Sequence, residues 1–86
     1  FIVGFALETD DVLANAEAKL KAKDLDMIVA NDARESGAGF GGDTNRVTIL
    51  VAGKPADALA LMTKDAVADA ILDRIEERWR GTAGGR

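Results

Sequence analysis

The sequence predicts an α/β fold, a mixed sheet with flanking helices, and three observations carry that prediction. Residues 1–7, FIVGFAL, are apolar almost without a break, the pattern of a strand covered on both faces in a parallel sheet. Residues 12–20 then repeat apolar side chains at helical spacing. Residues 26–30, DMIVA, form a second apolar run. Strand, helix and strand within about thirty residues make a βαβ unit, for which a right-handed crossover is the rule.

The elements follow in order. Thr9 offers an N-cap to the first helix, and Asp10 and Asp11 sit where the helix dipole favours anions. Val12, Leu13, Ala16 and Leu20 share the apolar face of a helix that runs to about Lys23. Residues 31–45 read as a loop with four glycines. Residues 46–52, RVTILVA, alternate with β-branched side chains and read as a strand. No crossover helix separates it from the previous strand, so it is expected to be antiparallel or at an edge. Gly53-Lys54-Pro55 signals a turn, and residues 58–61 a short return strand. Thr63 is the expected N-cap of a final helix, with Met62 stapled onto Val67. Val67, Ala70, Ile71, Ile75 and Trp79 mark its buried face to about Arg80, and residues 81–86 read as a disordered tail.

Composition narrows the function. A chain of 86 residues makes one small domain, residues 1–80 by this reading, and buries only about 60% of its unfolded surface. An apolar strand at the first residue predicts a longer parent polypeptide. The net charge of −4, with both signs interspersed, argues against nucleic-acid binding, which needs a basic face. The absence of cysteine removes disulfides and thiolate metal sites, and the absence of histidine removes the commonest general base and zinc ligand. No metal site is expected in the chain itself. No apolar run approaches the roughly 18 residues of a membrane span, so no membrane partner is expected and a cytoplasmic location is.

Several patterns carry chemistry. Gly37, Gly39 and Gly42 satisfy G-x-G-x-x-G, but the dinucleotide fingerprint needs a helix opening on its last glycine. Here Asp43, Thr44 and Asn45, read as turn residues, run into a β-branched strand, so a surface loop is expected. Lys19 and Lys23 lie four apart on one helix face, whereas Lys21 points elsewhere. By spacing they are either a solvated face or two ammonium groups that would neutralise a polyphosphate near a strand's carboxyl end. Phe5 is either core or a wall for a base or ribose. Asn31 and Asp32 end the second strand and either bind a ligand or form an Asx turn.

These fragments stand in a recognisable order. Val3-Gly4-Phe5-Ala6-Leu7-Glu8-Thr9-Asp10 resembles the G-F-A-x-E-T-D segment of the phosphopantothenate–cysteine ligase family. Residues 16–26, AEAKLKAKDLD, are similar to its lysine-rich helix, and Ile28-Val29-Ala30-Asn31-Asp32 to its I-V-A-N-D strand. Gly39-Phe40-Gly41-Gly42-Asp43-Thr44-Asn45 resembles G-F-x-x-D-x-N, and residues 59–75 resemble the closing L-P-L-x-x-K-x-x-V-A-x-x-I-L-D-x-I, with Ala60 in place of proline. Each motif alone is loose, but five in register are specific.

The resemblance implies the C-terminal portion of a Rossmann-like ligase domain, often preceded in bacteria by an FMN-dependent decarboxylase. It implies CTP and Mg2+, 4′-phosphopantothenate activated as an acyl-cytidylate, and amide formation with cysteine. It implies a homodimer. Phe5, Lys19 and Lys23 align with nucleotide contacts, while the catalytic residues are expected upstream. Two rivals remain at this stage. One is a non-catalytic nucleotide-binding or dimerisation module. The other is a dinucleotide-binding oxidoreductase fragment, which requires a helix near Asp43.

Overall fold

In the computed structural model, which describes residues 1–34 and 44–84, the βαβ unit forms as the apolar pattern predicts. β1 (Val3–Glu8) lies parallel to β2 (Met27–Asp32), with Val3 opposite Met27 and Glu8 opposite Asp32. α1 (Val12–Ala22) joins them. β3 (Thr44–Asn45) precedes β4 (Val47–Val51), which is antiparallel to β2. β5 (Asp57–Ala58) completes a mixed sheet of order β1-β2-β4-β5. β6 (Met62–Thr63) pairs with β3 in a separate two-stranded ribbon and leads into α2 (Lys64–Gly84).

The pleat sorts the sheet into two cores. Ile28, Ala30 and Leu50 face α1, where Ala16 is fully buried and Val12, Leu20 and Leu25 pack around it. Met27, Val29, Val47 and Ile49 face the other way and meet Val67, Ile71 and Ile75 of α2. Full burial of each large side chain contributes about 1.5–3 kcal/mol. The chain returns so closely from α1 that a Cβ on Gly4 would stand 2.6 Å from Leu25 Cδ1.

Helix ends follow local chemistry. Past α1, Asp24 takes a left-handed φ of 52° and the chain closes with Leu25 N–H donating to Leu20 O (3.0 Å) and Asp24 N–H to Lys21 O (3.2 Å). This is a Schellman closure with aspartate where glycine is usual. At α2, Thr63 Oγ1 accepts from Ala66 N–H at 3.2 Å, the expected cap, and Met62 packs against the cluster containing Val67.

Five expectations are corrected. α1 is capped at Asp11 in a left-handed conformation (φ 43°), not at Thr9, because pairing holds the chain extended through Glu8. β1 is covered on one face: Phe5 and Leu7 remain 72% and 66% exposed, since β1 is an edge strand. Leu13 and Trp79 are likewise exposed, each rotated off its helix's buried stripe. The return strand is Asp57–Ala58, one residue earlier and shorter than expected, and past it the chain makes one more backbone bond to β4, from Leu59 N–H to Val47 O at 2.9 Å. α2 runs to Gly84, past its expected end at about Arg80. Glycine there costs a helix about 1 kcal/mol but, unlike proline, does not bar it.

No helix among the described residues is long and apolar enough to cross a membrane. Gly37, Gly39, Gly42 and Asp43 lie outside the described residues, but the chain is already strand at Thr44. The described residues that follow are strand, not the helix that the dinucleotide reading requires after its last glycine.

Candidate functional site

Parallel strands end together, and β1 and β2 bring two carboxylates side by side. Glu8 and Asp32 are register partners at the carboxyl edge, and each is only 7% exposed. Ala33 N–H donates to Glu8 O at 2.8 Å, and Asp32 N–H donates to Arg46 O at 2.8 Å, which anchors the edge. Buried carboxylates need cationic partners, and each has one. Lys19 Nζ donates to Glu8 Oε2 at 2.5 Å. Asp32 Oδ1 accepts from Arg34 N–H at 2.9 Å and from Arg34 Nε at 3.4 Å. Asp32 therefore forms the turn that its sequence position allows.

Burial works to raise the Asp32 carboxyl. The Arg34 backbone and side-chain hydrogen bonds, with the charges of Arg34 and Arg46, outweigh it and hold the group below its ordinary 3.8. A carboxylate with a depressed folded pKa stabilises the fold fully above its unfolded value and loses that contribution as pH falls through the folded value. Asp32→Asn is thus expected to flatten the fall in stability below about pH 3.8. Urea melts across the acid range check this; an unchanged slope would show that the Arg34 turn does not favour the charged form.

The nucleotide contacts implied by the resemblance are distributed over both sides of this edge. Phe5 pairs with Val29 and so lies on the α2 face, where it lines an open cavity of about 420 Å³ with Leu7, Asn31, Asn45 and Lys64. Lys19 lies on the α1 face at the end of β1, beside Glu8. Lys23 is the C-cap of α1, one turn further on. The four-residue step sets it about 6 Å from Lys19 along the helix axis. Phe5 and Asn31 are brought together, as are Lys19 and the carboxyl edge. Phe5 and the lysines are separated by the sheet, so only a ligand straddling the edge would touch both.

Glu8 and Lys64 are site residues that the sequence reading missed. The signal for Glu8 was present: a carboxylate closing an apolar strand has to be paired. Among the described residues no group of three or more acidic side chains is placed to hold a metal ion. Glu8 and Asp32 are each engaged by a cation.

The chain resembles known proteins over most of its length. Residues 1–78 match the family described as DNA/pantothenate metabolism flavoprotein C-terminal domain. A cysteine/cysteine sulfinic acid decarboxylase from an unknown prokaryotic organism is 53% identical over 74 residues, covering 86% of this chain and 21% of that protein. The coenzyme A biosynthesis bifunctional protein CoaBC of Bacillus subtilis is 50% identical over 74 residues, covering 86% of this chain and 18% of its own length. The chain thus spans about a fifth of these relatives. The crystal structure of the C-terminal domain of a CoaBC protein superposes with a TM-score of 0.76 at 44% identity, over 91% of this chain and 37% of that domain.

Proposed function

Because the chain belongs to the DNA/pantothenate metabolism flavoprotein C-terminal domain family, we propose that it forms part of the nucleotide site of a ligase in coenzyme A biosynthesis. The parent protein joins 4′-phosphopantothenate to cysteine through a CTP-derived acyl-cytidylate. Likeness to two CoaBC proteins supports the pathway. The observation that carries the ligase reading is the Lys19 ammonium, anchored by Glu8 at the carboxyl end of a parallel strand. That is where open α/β sheets take ligands.

The chemistry needs fixed positive charge. The substrate carboxylate attacks the α-phosphorus of CTP, and the bond to pyrophosphate breaks. The cysteine amine then attacks the acyl carbon, an amide bond forms and CMP leaves. Lys19 and Lys23 stabilise the charge that develops on departing pyrophosphate. Phe5, with Asn31 beside it, walls the base or ribose. Magnesium would travel on the nucleotide phosphates, which suits an ion that keeps water and phosphate oxygens. The resemblance adds a cytoplasmic homodimer, with FMN confined to any upstream decarboxylase domain.

One observation favours a second reading: a relative 53% identical is named a cysteine/cysteine sulfinic acid decarboxylase. The full-length protein separates the two. CTP-dependent pyrophosphate release that requires 4′-phosphopantothenate, and that needs cysteine to continue past one turnover, is expected, and the 86-residue chain alone is expected to show none. Nucleotide-independent CO2 release from cysteine or cysteine sulfinate, without pyrophosphate, would replace the ligase by the decarboxylase. Pyrophosphate release by the isolated chain would show that the catalytic residues had been misplaced.

A further inference from the structure

We infer that Glu8 is a positioning residue for Lys19, acting on the leaving pyrophosphate through that lysine; this rests on the ligase reading. Glu8 closes β1, is 7% exposed, and its carboxylate accepts the Lys19 ammonium at 2.5 Å. The neighbouring Asp32 is served separately by Arg34. The two buried acids therefore do not compete for one cation. Lys19 is left with a half-open side chain, 43% exposed, and an ammonium has three donors. One is committed to Glu8 and two remain for phosphate oxygens.

A free lysine stem loses considerable rotamer freedom when its end is fixed. The short bond to Glu8 removes that freedom before the nucleotide arrives. Lys23 has no such anchor among the described residues: its side chain is exposed at the end of α1. The geometry therefore makes Lys19 the pre-oriented cation and Lys23 an accessory one.

Glu8 also places a negative charge near the triphosphate. In the ground state this repulsion opposes the benefit of holding Lys19, and the two offset each other in CTP binding. In the transition state the leaving oxygen requires an ammonium in the right place, and misplacement of catalytic groups costs up to about a hundredfold. The expected signature is a loss in kcat with little change in KM.

The test uses the full-length protein. Glu8→Gln is expected to lower kcat for CTP-dependent pyrophosphate release about tenfold while KM for CTP moves less than about threefold. Glu8→Asp, one methylene shorter, keeps the charge and draws Lys19 back, and is expected to fall between wild type and Glu8→Gln. In a Lys19→Ala background Glu8→Gln is expected to have no further effect on kcat, because positioning acts through the lysine. Independent, multiplicative losses in the double variant would overturn the inference and reduce Glu8 to a structural acid, as would a Glu8→Gln effect confined to KM. If Glu8→Gln does not fold, the Glu8→Asp and Lys19→Ala cycle decides in the same way. Failure of the ligase reading is distinguishable, since the wild-type protein itself would then release no pyrophosphate from CTP.

Discussion

Lys19→Ala in the full-length protein is expected to weaken CTP binding or its turnover about ten- to a hundredfold. A charge-assisted hydrogen bond contributes on the order of 1.5–3 kcal/mol when its partner is partly removed from water. Lys19 meets that condition because its ammonium is held against a carboxylate that is only 7% exposed. Lys23→Ala is expected to cost less, since an exposed side chain at the helix terminus has to be ordered when the nucleotide binds. Lys21→Ala is expected to cost least. A two-residue step turns a helix by about 200°, which puts Lys21 on another face from Lys19 and Lys23. Titrating CTP against the three single variants ranks them. Indistinguishable affinities would make the lysines a solubilising face and leave the sequence resemblance as the remaining support for the site.

Ile49→Ala carries the largest expected effect on stability, about 2–5 kcal/mol. Ile49 is 1% exposed and lies in β4, bonded to β2 on one side and β5 on the other. Its side chain meets Met27, Val29 and Val67, so truncation opens a cavity that the sheet and α2 cannot both close around. Ile49→Val, which removes one methylene, is expected to cost about 0.5–1.5 kcal/mol. Denaturant midpoints with an unchanged slope would read both values. A cost below about 1 kcal/mol for the alanine variant would mean that β4 is not packed against α2 as described. A domain stable by about 5–15 kcal/mol has little room for the larger loss.

Much of the fold is legible because its signals are local. Two apolar runs and the helical spacing between them specify β1, α1 and β2. The sequence between β2 and β4 carries no helical pattern, which predicts their antiparallel pairing, because a parallel neighbour requires a crossover. Thr63 followed by Val67 is a complete cap signal read within five residues. The lysine pair was legible as a helix face, but not as a site.

What the tertiary structure alone decided is who partners whom. Glu8 lies next to Asp32 because β1 and β2 pair in one register, and a slip of one residue in either strand would turn its carboxylate to the other face and part the two. Lys19 reaches Glu8, and Lys23 does not, because α1 starts at Val12, past Thr9, and runs back along the sheet. Phe5 and Lys19 sit on opposite faces for the same reason that makes β1 recognisable: alternate strand residues point in opposite directions. Periodicity is a property of neighbouring residues and can be read from them. The pairing of charges depends on register between segments far apart in the chain, and it is set only when burial makes an unpaired carboxylate too costly to keep.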